Sequence, residues 1–139
     1  MIEEALNVLS RAGLKQTKAR HAVLAVLASN EGPFAADEIR KLARGANLDL
    51  ATVYRCLATF ERCRIVRRCE FGDGISRYEY QRGHEHHHHV VCVSCRRAER
   101  IGGCAITRLE RKARRKGYEQ LTHTATLFGI CKACRSARP

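Results

Sequence analysis

The 139 residues allow one domain of ordinary size or two small ones joined by a short linker, and exclude anything larger. Apolar residues make up 45% and charged residues 29%, a globular balance, and no apolar run approaches the roughly 18 residues of a membrane span. The net charge of +12 points to a polyanionic partner, nucleic acid being the commonest.

The acidic start, Met1-Ile2-Glu3-Glu4, lacks the basic-then-apolar pattern of a secretory signal, so a cytoplasmic location is expected. In that reducing compartment eight cysteines read as metal ligands before disulfides. The basic excess is uneven: residues 1–83 carry 14 Lys and Arg against 10 Asp and Glu, and residues 84–139 carry 12 against 4. Charge alone therefore does not mark which half would read DNA.

In chain order, residues 3–12 predict a short helix closed by Gly13, which tolerates a left-handed backbone. Thr17 caps a second helix with an apolar stripe of Val23, Leu24, Val26 and Leu27, broken at Asn30-Glu31-Gly32-Pro33. A third, residues 35–44, carries Ile39 and Leu42 and closes at Gly45. Asp49 caps a fourth, in which Leu50, Val53, Leu57 and Phe60 share one face and are expected to be buried. Ala51, Thr52, Tyr54, Arg55 and Thr59 are left mostly outside.

Residues 65–71 and 76–80 flank Gly72-Asp73-Gly74 as a β-hairpin, and helices followed by a hairpin suggest a winged helix-turn-helix. Beyond the polar Gln81-Arg82-Gly83, strands near 87–93 and 97–101, a basic helix near 105–116 and a strand near 125–130 make a small second unit. The expected class is α+β: a winged-helix domain (1–80), a hinge (81–83) and a small α/β domain (84–139).

Cys92-Val93-Ser94-Cys95 and Cys131-Lys132-Ala133-Cys134 form two CxxC pairs, the spacing of a closed four-thiolate Zn²⁺ site with no open position for catalysis. A thioredoxin-like redox pair or buried structural pairs are the alternatives. Glu85-His86-His87-His88-His89 runs into Val90-Val91, and strand alternation sends His87 and His89 to one side and His86 and His88 to the other, feeding two metal sites. Cys69 and Glu79 are the candidate partners of His87 and His89; His123 is the candidate partner of His86 and His88. Cys104 is either a further ligand there or, like Cys56 and Cys63, a small buried hydrophobe. A mixed Cys/Glu/His set suits Zn²⁺, whereas carboxylate with imidazole alone suits Fe²⁺ or Mn²⁺ as well. No phosphate-binding glycine loop, nucleophile elbow or His-Glu-x-x-His is present, so a regulator is favoured over a zinc hydrolase.

AGLKQT (Ala12 to Thr17), LATVYRCL (Leu50 to Leu57), the histidine run and the two CxxC pairs together resemble the ferric uptake regulator family of bacterial metal-responsive repressors, over about Ala12 to Arg135. The resemblance implies an amino-terminal winged helix and a carboxy-terminal dimerisation domain, used as a homodimer on palindromic double-stranded DNA with metal as corepressor. It assigns Tyr54 and Arg55 of the TVYR motif, with Thr52, to the recognition helix, and Lys15 to the minor groove. Iron- and peroxide-sensing members supply a histidine near Pro33 and acids near Arg100 and Thr107. Zinc-sensing members lack that histidine and draw a cysteine from the hinge region, where Cys69 sits, although the usual position falls at Gln81 or Arg82. The resemblance thus points to a regulatory Zn²⁺, with an Fe²⁺-, Mn²⁺- or peroxide-sensing regulator as the alternative.

Overall fold

The computed structural model describes residues 1–83 and 86–138, so Glu85, which precedes the histidines, lies outside the described residues. The chain divides into two compact units, Met1–Gly83 and His84–Pro139. No helix among the described residues is long and apolar enough to cross a membrane.

The first unit opens with α1 (Ile2–Arg11), after which Gly13 takes φ +71° and Leu14 N–H bonds back to the Leu9 carbonyl. The Thr17 hydroxyl accepts from Arg20 N–H at 3.2 Å and starts α2 (Lys18–Ser29). Phe34–Ala35 form an unforeseen two-residue strand, β1, and α3 spans Ala36–Leu42, one residue later at its start and two residues shorter at its end than the expected 35–44. Glu38 accepts from Ala35 N–H at 2.7 Å, fixing where α3 begins.

The Asp49 carboxylate accepts from Thr52 N–H at 2.6 Å, and α4 runs Leu50–Arg62. Val53, Leu57 and Phe60 are wholly buried, but Leu50 is 38% exposed because it sits in the first turn, at the edge of the stripe. Leu42, at the end of α3, is exposed as well while Ile39 is buried. Thr59 is buried instead of exposed, its hydroxyl satisfied by the Arg55 carbonyl at 3.0 Å.

Strands β2 (Val66–Glu70) and β3 (Ser76–Tyr80) form the expected antiparallel hairpin, in register Val66↔Tyr80 to Glu70↔Ser76, and β1 adds to the far edge of β3. Side chains of α1 to α4 close with Ile65, Val66 and Tyr78 over one core. This is a winged helix: α4 is fixed by its buried face and offers the other to solvent.

In the second unit, β4 (His87–Cys92) lies between antiparallel β5 (Ala98–Gly102) and parallel β6 (Thr126–Gly129). The basic α5 (Thr107–Arg115) buries no residue. A short α6 (Lys132–Ser136), unforeseen in the sequence, is capped by Cys131 and carries Cys134.

Candidate metal centres and nucleic-acid face

Each CxxC pair sits where a strand of the second sheet ends: Cys92 closes β4, and Cys131 follows β6 and caps α6. Parallel pairing of β4 with β6 brings the two ends together, and the sulfurs of Cys92, Cys95, Cys131 and Cys134 all lie within 4.8 Å of one another. Cys95 and Cys131 Sγ are 3.8 Å apart, as expected for a tetrahedron with Zn–S near ~2.3 Å, whose edge is about 3.8 Å. Cys131 N–H donates to Cys92 Sγ at 3.3 Å, and Cys134 N–H to Cys131 Sγ at 3.5 Å.

Backbone amides of Cys131 and Cys95 hold the Cys92 thiol down to about 6. Cys134 goes the other way. The Ser94 hydroxyl pulls it down, but hydrogen bonds with Cys131 and Cys95, together with burial, outweigh that and push it up to about 11. Four thiolates this close repel one another, and a divalent cation is what makes them tolerable together. The residues fit a structural Zn²⁺, which they would hold without a free position for substrate.

A second cluster belongs to the same unit. His86 Nε2 is 3.2 Å from His88 Nε2 and 2.7 Å from His123 Nε2, and Cys104 Sγ is 3.2 Å from His123 Nε2. His123 Nδ1 meets Glu110 Oε1 at 2.7 Å. Burial, and then the neighbouring His86 and His123, lower the His88 imidazole below its ordinary value, favouring the neutral form that binds metal. Sequence reasoning grouped the three histidines but left Cys104 open and missed Glu110. The one signal for Glu110 was that it is the only acid in a basic helix.

His87 and His89 share the other face of β4, their ring centroids 5.1 Å apart, as alternation predicts. His89 is buried, and His87 Nδ1 accepts from the Arg100 guanidinium at 2.9 Å. Their candidate partners, Cys69 and Glu79, are buried on one face of the first unit's hairpin, since Arg67 pairs with Glu79 and Cys69 with Arg77. Burial first, then the Glu79 charge, push the Cys69 thiol up to about 12.

On α4, Tyr54 is 50% exposed and Arg55 reaches back to the Thr52 hydroxyl at 3.1 Å. Lys15 is exposed, and its carbonyl accepts from Arg20. Arg20, Arg55 and Arg62 line one groove with Thr17 and Thr52. The sequence does not single out Arg20 and Arg62, because nothing in the helical pattern separates them from ordinary surface cations.

A winged helix with Arg20, Arg55 and Arg62 along one groove, the last two exposed, joined to a unit with two preformed donor clusters, defines the class as a metal-responsive DNA-binding regulator. Comparison with known proteins narrows it. Residues 11–128 match the model of the ferric uptake regulator family, and the chain belongs to that family of metal-responsive transcriptional regulators. It is 37% identical over 131 residues to a ferric uptake regulation protein of Legionella pneumophila, covering 91% of this chain and 96% of that one. It is 29% identical over 136 residues to the peroxide operon regulator of Bacillus subtilis, covering 96% and 92%. The ferric uptake regulator of Vibrio cholerae superposes with a TM-score of 0.77 at 33% identity, over 90% of this chain and 98% of that one.

Proposed function

We propose that this chain is a cytoplasmic, zinc-sensing repressor of metal-homeostasis genes that binds palindromic operators as a metal-loaded homodimer. The observation that carries the reading is a metal-donor cluster, His86, His88 and His123, separate from the four cysteines, in a chain whose α4 exposes Tyr54 and Arg55. Structural zinc at the cysteines leaves the histidine donors for regulation, His87 and His89 at the hinge and His86, His88 and His123 as a second regulatory site. Tyr54 meets a thymine methyl, Arg55 a phosphate or base edge, Thr52 supports Arg55, and Lys15 enters the minor groove. Dimerisation through the second unit is supported by its edge strand β6, where Leu127 and Phe128 are 59% and 57% exposed.

Regulation in this reading is a two-state hinge at residues 81–83. Metal held by Cys69 or Glu79 with His87 and His89 favours the closed state, in which two recognition helices match two half-sites. The energy is the difference in metal affinity between the two states. Thiolate and imidazole donors support zinc. A second reading, an iron-sensing repressor, is favoured by the 37% identity to the Legionella ferric uptake regulation protein.

The test is selection from a randomised duplex pool by the zinc-loaded chain with further Zn²⁺, Fe²⁺ or Mn²⁺. Enrichment of a palindrome with Zn²⁺ alone supports the first reading. Enrichment with Fe²⁺ or Mn²⁺ alone transfers it to the second, and enrichment independent of added metal overturns both.

A further inference from the structure

We propose that Cys104 is the fourth donor of the second cluster and the residue that makes it a zinc site, a closed centre of three imidazoles and one thiolate. This rests on the reading of His86, His88 and His123 as a metal site and adds what decides the metal.

Four separate pieces of the second unit converge here: the approach to β4 (His86), β4 itself (His88), the loop between β5 and α5 (Cys104), and the segment before β6 (His123). One donor atom from each lies within 4.8 Å of the other three. Zn–N bonds of ~2.0–2.1 Å and a Zn–S bond of ~2.3 Å place tetrahedral neighbours about 3.3 to 3.6 Å apart. The His86–His88 and Cys104–His123 separations, both 3.2 Å, are already close to that spacing, and His86–His123 at 2.7 Å needs only a small opening.

Cys104 is also held as a ligand sulfur would be. Ile106 N–H lies 3.4 Å from its Sγ and points at it, the same amide-to-sulfur contact found at Cys92 and Cys131 in the four-cysteine centre. Glu110 completes the arrangement from α5. Its carboxylate takes His123 Nδ1, which fixes the ring with Nε2 turned into the cluster and strengthens that nitrogen as a donor. With one thiolate, three neutral imidazoles and a divalent ion, the centre carries +1, which the Glu110 carboxylate balances.

The donor set then selects. Among the described residues it contains no oxygen donor, and the Glu110 carboxylate is engaged by His123. Mn²⁺ prefers carboxylate, carbonyl and water in an octahedron, and non-haem Fe²⁺ sites pair two histidines with a carboxylate and keep positions open. A compact tetrahedral set of nitrogen and sulfur suits zinc.

The experiment uses the full chain in a Cys69→Ser, His89→Ala background, which removes the competing hinge donors, with zinc filling the four-cysteine centre and Co²⁺ as the spectroscopic stand-in for the second zinc. One Co²⁺ per chain is expected to show four-coordinate visible absorption and a near-ultraviolet sulfur-to-cobalt band, both erased by Zn²⁺. Cys104→Ser should remove the sulfur band and weaken zinc by more than the ~10–100-fold typical of losing an outer partner, while Glu110→Gln should keep the band and weaken zinc within that range. Cys104→Asp, which restores a donor but changes its chemistry, should shift preference from Zn²⁺ toward Mn²⁺. An unchanged spectrum and zinc affinity in Cys104→Ser overturns the proposal and leaves the histidine site standing. Undiminished metal binding in the His86→Ala, His88→Ala double variant overturns the site reading itself. Circular dichroism and one retained zinc per chain report that each variant has folded.

Discussion

In the first unit Leu9, Leu24, Leu27, Ile39, Leu57 and Phe60 are wholly buried, drawn from all four of its helices. In the second, Val91 and Cys92 are the buried apolar side chains among the described residues, and α5 contributes none. One unit is closed by hydrophobic burial; the other is an amphipathic sheet with metal donors at two places and apolar side chains still facing outward. A small sheet with so thin a core needs metal or a partner to hold it. The difference teaches where each kind of signal can act: metal changes the stability of the unit that depends on it and leaves α4 pre-formed.

The strongest way to break this comparison is to remove the structural zinc. Zinc in small metallo-domains supplies ~10–16 kcal/mol of folding free energy, as much as the ~5–15 kcal/mol that stabilises a whole domain. Cys92→Ser with Cys95→Ser, or a strong chelator, should therefore abolish amide-exchange protection in β4 to β6 while α2 and α4 keep theirs. Protection retained in both units would show that the second has an apolar core after all. The reciprocal cut is Phe60→Ala, which should destabilise the first unit by ~3–5 kcal/mol without changing zinc content, measured by denaturant unfolding and elemental analysis.

The legibility of the two units in the sequence follows the same division. Helical periodicity and caps located α1, α2 and α4 because Thr17 and Asp49 act locally and Val53, Leu57 and Phe60 fall on one stripe. Strand β1 was invisible since two residues carry no periodicity, and its pairing Phe34↔Tyr78 is a tertiary contact. Spacing alone puts Leu50 inside with Val53, Leu57 and Phe60, yet it lies in the first turn of α4, where the stripe leaves the core. In the second unit the CxxC spacing announced a cluster of four sulfurs, and β alternation sorted the histidines onto two sides. The placement of Cys104 and Glu110 depends on how the loop after β5 and helix α5 fold back on His123, which no local pattern encodes.

If metal acts by linking the units, its effect on DNA should sit in the allosteric range of ~1–3 kcal/mol, or 5–150-fold in affinity. His87→Ala with His89→Ala should erase that dependence in anisotropy titrations while leaving the dimer intact by light scattering. Metal dependence that survives would sink the hinge. Arg55→Ala should cost a similar ~1–3 kcal/mol of operator affinity whether or not metal is present, because it changes the reading surface and not the switch.

The smallest expected effect lies in the wing. Asp73 and Arg77 form a buried pair at 2.8 Å, with the Arg77 guanidinium 5.3 Å from the Phe71 ring, so the first unit also contains one charge interaction that it depends on. The Arg77 hydrogen bond, opposed by burial, holds the Asp73 carboxyl below its ordinary value of 3.8. A carboxyl depressed in the folded state contributes stability that is present above the unfolded value and lost as pH falls through the folded one. The hairpin should therefore loosen below about pH 4, and Asp73→Asn should flatten that part of the pH profile while lowering stability at neutral pH. Unfolding followed from pH 6 to pH 2 on the zinc-free chain isolates this term, because the second unit should already have lost its structure there. An identical acid slope in the variant would place the sensitivity elsewhere, and the wing would then be as purely apolar in its stability as the helices it packs on.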